Sequence, residues 1–342
     1  MTDSKTYMFK NINRKLNTTI FSRLLYVFSA VFSLSTFHSG TATAKELTQT
    51  LEGKIIRSYA FNPKDSNQIL VGVKGESASS GKVYYSDNAG KTWQMTNSGD
   101  ALSAASEDVQ TLAFLDDKTF MAGTWKNGLF ISSDSGATWQ TYPEYPSNDI
   151  RAIRVGLQHE GKVYIATTTS WVTSSNDSMK TWEQLEQQKM ANWDLIVDPS
   201  DDQVLYALTF RSGVHKSEDG GQTWSQILEM KNNMMIFDLL VDSNGSIVAV
   251  GSNETSSIIV TSANGGESWE HMPDIPHALL NSVEVVNNKL IVGSWDKGVY
   301  KQQDDHWSIL ADMKDTGITK IKKSGEYIYY FTWGNGIFRE LL

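Results

Sequence analysis

The 342-residue chain is 40% hydrophobic and 20% charged, which is enough apolar material for a sizeable core and too much for a disordered polymer. It contains no cysteine, so disulfides, thiolate metal sites, a cysteine nucleophile and a lipid-modified cysteine are excluded. Its net charge of −9 argues against nucleic acid and anionic lipid as partners.

Residues 1–44 read as a cleaved signal peptide. Lys5, Lys10, Arg14, Lys15 and Arg23 precede the apolar run 24–34, and Ala42, Thr43 and Ala44 offer small residues before Lys45. The run is short for a bilayer span, although the long charged leader leaves an uncleaved anchor as the alternative. Cleavage removes five basic residues and one acidic residue, which moves the net charge from −9 to −13. The expectation is an exported domain, 45–342, periplasmic or extracellular and without stable membrane insertion.

From there the chain repeats. The octets SDNAGKTW (86–93), SSDSGATW (132–139), SNDSMKTW (175–182), SEDGGQTW (217–224) and SANGGESW (262–269) recur, and a remnant, QQDDHW, ends at Trp307. The tryptophans Trp93, Trp139, Trp182, Trp224, Trp269 and Trp307 fall 38–46 residues apart. Such a period holds four short strands with their turns, the content of one propeller blade.

Taken in chain order, first strands A are expected over 57–63, 111–117, 150–155, 193–199, 237–243, 281–286 and 318–323, each ending near a turn residue. In the fourth repeat VLYALTF, GVHKS and WSQIL follow as strands B, C and D. The seventh repeat ends after its third strand at Leu342, while residues 46–53 precede the first A strand without a blade of their own. The reading is an all-β, seven-bladed β-propeller of four-stranded antiparallel blades, its ring closed by the N-terminal strand pairing with the C-terminal blade. Closure removes the exposed ladder edges that would recruit other chains.

The octet lies between strands C and D, where the chain reverses. A short Asp, Asn or Ser side chain accepts hydrogen bonds from the turn's own N–H groups, and glycine tolerates positive φ there. Tryptophan then leaves the turn as an apolar wedge. Catalysis needs one constellation, and this element occurs five times, so its work is structural.

The octets match S-x-D-x-G-x-T-W, completely at Ser132, Asp134, Gly136, Thr138 and Trp139 and at Ser217, Asp219, Gly221, Thr223 and Trp224, with departures at Asn88, Met179, Asn264 and Ser268. Over 45–342 the chain resembles the Asp-box (BNR) β-propeller superfamily. That group includes sialidases, xyloglucan-cleaving glycosidases, sortilin-type receptor ectodomains and photosystem II stability and assembly factors. The resemblance implies the fold and leaves the activity open. The arginine triplet and Arg-Ile-Pro motif of sialidases are not matched.

Alternating strand direction places the B–C turns and D–A connections on one rim. There Trp125, Phe210, Trp295 and Trp333 stand at equivalent positions before a turn glycine, with Trp171 a shifted fifth. Such aromatics grip a peptide or stack on sugar; otherwise each covers the neighbouring blade. The starts of the A strands reach the same rim with Arg57, Gln110, Arg151, Trp193, Phe237, Asn281 and Thr319. Arg57, Arg151 and Arg211 offer charge to an anion.

Asp194 and Asp238 occupy equivalent places in successive blades and form the candidate carboxylate pair for glycoside hydrolysis, or else polar lining for the channel. The leading expectation is a non-catalytic binding or scaffold propeller, assembly-factor-like, holding a protein or glycan with Trp125, Phe210, Trp295, Trp333, Trp193 and the three arginines. The alternative is a glycoside hydrolase acting on an extracellular or cell-wall polysaccharide. No histidine pair, P-loop or calcium loop is complete, so no cofactor or metal is expected.

Overall fold

A computed structural model describes residues 47–342 apart from 76–81, 97–101, 103–108, 146, 148, 169–171, 186–191, 211, 277 and 305. Arg211 and Trp171 therefore lie outside the described residues, as do residues 1–44, the segment expected to be a signal peptide.

The described strands form seven four-stranded sheets. Blades one to six occupy residues 56–95, 109–141, 150–184, 192–228, 235–271 and 280–309, each a meander in chain order. Blade seven takes three strands from 318–341, and its fourth is Thr48–Thr50, which pairs antiparallel with Ile337–Leu341. Thr48 faces Arg339 and Thr50 faces Ile337, so the N-terminal strand closes the ring as the sequence required.

Second strands are the driest part of each blade. Ile69–Val73, Phe120–Thr124, Val163–Thr167 and Leu205–Thr209 are buried at every position. Continuous apolar sequence is stable there because both faces of each sheet are covered by neighbouring sheets. Fourth strands, by contrast, are as short as two residues and polar, as in Gln140–Thr141 and Glu183–Gln184, so the outer edges offer little ladder for another chain.

The blades are stitched to one another near the axis. Thr111 Oγ1 accepts from the Ile153 N–H (3.1 Å), Asp238 Oδ2 from the Val283 N–H (2.9 Å) and Ser282 Oγ from the Ile321 N–H (2.8 Å). Each is a side chain of one A strand satisfying a backbone donor of the next. At the seam, Ile56, Ile69 and Val71 of blade one pack with Tyr329, Phe331 and Ile337 of blade seven, and Tyr59 stacks on Phe331 at 4.7 Å.

The Asp boxes behave as turn clamps. Ser217 Oγ donates to Asp219 Oδ1 (2.8 Å) and accepts from the Gly221 N–H (2.8 Å). Asp219 then accepts from the Thr223 N–H (2.8 Å) and hydroxyl (2.6 Å), and these bonds, the Thr223 hydroxyl first, hold its carboxyl down at about 2. Asn88 clamps its own turn in the same way, accepting from the Thr92 N–H (2.9 Å) and donating its amide to the Thr92 hydroxyl (2.7 Å). At the third box Met179 stands buried at φ +73°, in the region that Gly221 occupies at +92° in the fourth.

The box tryptophans mainly lock onto the preceding blade. Trp93 Nε1 donates to Thr50 (3.0 Å), Trp139 to Thr96 (3.3 Å), Trp269 to the Ile227 carbonyl (2.8 Å) and Trp307 to the Pro273 carbonyl (3.0 Å). Trp224 instead bonds the Gly221 carbonyl of its own box (3.0 Å), and Trp182 packs edge-on against Tyr145.

Candidate functional site

Every blade carries the same irregularity. The pairing of strands A and B slips by one residue between Ile56 and Ser58, Val109 and Thr111, Ile150 and Ala152, Asn192 and Asp194, Ile236 and Asp238, Leu280 and Ser282, and Ile318 and Lys320. These are seven β-bulges, and the residues they extrude are Arg57, Gln110, Arg151, Trp193, Phe237, Asn281 and Thr319. A bulge leaves one residue out of the ladder and re-aims its side chain. Here it does so once per blade, at the rim where the B–C turns and D–A connections meet.

Around half of this mouth the aromatics touch in series. Phe210 meets Trp193 at 5.3 Å, Trp193 meets Phe237 at 5.6 Å, Phe237 meets Trp295 at 6.4 Å, and Trp295 meets Trp333 at 6.1 Å. The arc joins two bulge residues to three B–C turn residues across blades four to seven. Trp333 is 39% exposed, and the other four are half-buried, so the arc has a protein side and a solvent side.

Cations hold the remaining half. Arg57 stands over the Trp333 ring at 4.9 Å and Lys74 over the same ring at 5.5 Å. Arg151 stacks on Trp125 at 4.1 Å, donates to Gln110 Oε1 (3.2 Å) and lies 3.8 Å from Asp149. Its side chain is only 6% exposed, and burial, followed by the like charge of Arg57, outweighs Asp149 and lowers its pKa from the ordinary arginine value. Arg151 therefore supports the ring of Trp125, whereas Arg57 is exposed.

Trp125, Trp193, Phe210, Trp295, Trp333, Arg57 and Arg151 thus gather at one mouth, and all but Trp125 and Arg151 join a single contiguous series. Phe237 and Lys74 complete it. Phe237 is visible in the sequence at the bulge position of the fifth repeat; Lys74 follows strand B of the first repeat and carries no motif.

Below the mouth the channel is crossed by ion pairs. Arg154 reaches from blade three to Asp194 of blade four. Asp238 of blade five accepts from Lys320 of blade seven (2.6 Å), the Ser282 hydroxyl (3.1 Å) and the Val283 and Leu239 N–H groups (2.9 and 3.0 Å). Burial alone would raise the Asp238 carboxyl, but Lys320, Lys322 and these donors outweigh it and the pKa is lowered. Lys322 is held up in turn by Tyr59, Glu284 and Asp238 against the opposing effect of its burial. Asp194 and Asp238 are accordingly partners of cations, committed to different pairs.

Among the described residues no group of three or more His, Cys, Asp or Glu could hold a metal ion, and no helix is long and apolar enough to cross a membrane.

A family model described as BNR/Asp-box repeat matches residues 84–95, the first of the octets. No curated protein sequence matches the chain significantly. Among solved structures, YCF48 bound to D1 peptide superposes with a TM-score of 0.67 at 15% identity, covering 91% of this chain and 99% of that one. YCF48 from Cyanidioschyzon merolae gives a TM-score of 0.68 at 12% identity, covering 87% and 99%. The GH74 xyloglucanase from Xanthomonas campestris also gives 0.68 at 12% identity, but 86% of this chain spans only 53% of that enzyme. Identities this low establish the shared fold and no activity. The repeated clamps and the closed ring of blades make the chain a seven-bladed β-propeller whose first octet matches the BNR/Asp-box repeat model.

Proposed function

We propose that this is an exported binding propeller that holds an extended segment of a partner protein across its bulge-lined mouth. The observation that carries the reading is the contiguous arc from Phe210 through Trp193, Phe237 and Trp295 to Trp333. Large aromatics clustered at the centre of a concave rim are the residues that dominate protein recognition when truncated. The similarity to a YCF48 bound to a D1 peptide supports a peptide as the occupant. A two-carboxylate hydrolase needs a free acid and a free base or nucleophile. The saturation of Asp238 by four donors and the pairing of Asp194 with Arg154 leave that alternative without support at this pair.

The reading is tested by panning a random peptide library against the immobilised protein, with the Trp295→Ala/Trp333→Ala double variant as counter-selection. Recovered peptides should bind the wild type and lose at least about tenfold in affinity on the double variant. A library that yields no peptide dependent on these two rings overturns it.

A further inference from the structure

Besides area, the arc offers oriented ring faces. Successive pairs from Phe210 to Trp333 are inclined by 89°, 80°, 86° and 78°. In an edge-to-face series the rings turn their electron-rich faces in alternating directions, so a body lowered onto the arc meets faces as well as edges. Such faces attract ammonium and guanidinium groups.

The mouth itself demonstrates that preference. Arg57 and Lys74 stand over Trp333 and Arg151 over Trp125, whereas among the described residues no cation stands over Trp193, Phe237 or Trp295. Carboxylates stand in the B–C turns of blades five and six. Asp296 directly follows Trp295, and with Glu254, Thr255 and Leu279 it lines a hollow of 380 Å³. Lys297 lies 3.8 Å from Asp296 but is 42% exposed, so solvent screens that pair. Loss of residues 1–44 would move the net charge from −9 to −13, adding a long-range pull on basic ligands.

We infer that the segment held at this mouth is basic, with one of its arginine or lysine side chains seated on the faces of Trp193, Phe237 and Trp295 and its charge turned toward Asp296. This rests on the peptide-binding reading above and gives it a polarity. The basic residue lies over blades four to six, and Arg57 with Lys74 turns a second cation away from blade seven.

The test is fluorescence anisotropy on the full-length protein with three labelled, amidated repeat peptides: Arg-Gly-Ser, the same peptide with citrulline for arginine, and Glu-Gly-Ser. Citrulline keeps the shape of arginine and removes its charge. The arginine peptide should bind about two- to thirtyfold more tightly than the citrulline peptide, and the glutamate peptide should bind least. Trp295→Leu and Phe237→Leu should abolish the arginine preference. If either variant fails to fold, the indole N–H resonances of Trp193 and Trp295 in the wild type replace it, and they should shift more with the arginine peptide.

Equal binding of the arginine and citrulline peptides, or preferential binding of the glutamate peptide, overturns the basic-segment inference. If panned peptides nevertheless depend on Trp295 and Trp333, the peptide-binding reading stands. If no peptide binds and a xyloglucan oligosaccharide shifts the same indoles, both fall.

Discussion

Lys320 of blade seven reaches Asp238 of blade five at 2.6 Å, a contact between residues 82 positions apart that passes beside the intervening blade. Asp238 is 3% exposed, so removing either partner strands a charge in the interior. Asp238→Asn or Lys320→Met should each destabilise the ring by about 3–5 kcal/mol in chemical denaturation. The double variant Asp238→Leu/Lys320→Met removes both charges and should recover much of that loss.

The same pair fixes a pH dependence. The folded pKa of Asp238 lies below its unfolded value, so its contribution is complete above about pH 4 and is lost as pH falls through the lowered folded pKa. Burial alone would lower the Lys320 pKa, but Asp238, Tyr59 and Asp194 together outweigh it and the pKa is raised, so its contribution is complete below about pH 10 and fades as pH rises through the folded pKa. Thermal melts across pH should show a plateau between these limits, and Asp238→Asn should flatten the acidic limb.

Ring closure predicts a second experiment. Trp93 of blade one donates to Thr50, the strand residue that completes blade seven, and Arg339 Nε donates to Thr48 at 3.2 Å. Thr50→Val removes the acceptor of Trp93 and should cost about 1 kcal/mol. Deleting residues 45–51 exposes the edge of Ile337–Leu341, and size-exclusion chromatography should then detect self-association.

The Asp boxes predict unequal tolerance. Asparagine already serves at Asn88 and Asn264, where its amide nitrogen bonds the Thr92 and Ser268 hydroxyls at 2.7 and 3.0 Å. Asp219→Asn should therefore melt close to the wild type, whereas Asp219→Ala leaves the Thr223 N–H without its acceptor and should melt lower.

Lys126 sits at φ +90° in the B–C turn after Trp125, where blade seven places Gly334 at +108°. A side chain in this region costs about 1–2 kcal/mol that glycine does not incur. Lys126→Gly should raise stability by about 1 kcal/mol in denaturant titration, and no gain would show that contacts of the lysine offset the strain.

Much of the molecule is local and therefore readable. The spacing of Trp93, Trp139, Trp182 and Trp224 announces the blade period, because each Asp box closes its own turn with hydrogen bonds spanning two to four residues. The incomplete seventh repeat points to the N-terminal strand because an open edge is unstable. Phe210, Trp295 and Trp333 are visible as a pattern, yet nothing in the pattern says that Phe237 joins them into one arc.

The sequence by itself determined the blade, the number of blades and the way the ring closes, since all three follow from short-range turn chemistry and from edge satisfaction. Only the tertiary structure decided that Asp194 and Asp238, equivalent in sequence, serve two separate ion pairs, and that one side of the mouth is aromatic while the other is cationic. Those outcomes depend on which side chains the circular arrangement brings face to face across the axis, a relation between distant blades that no repeat carries within itself.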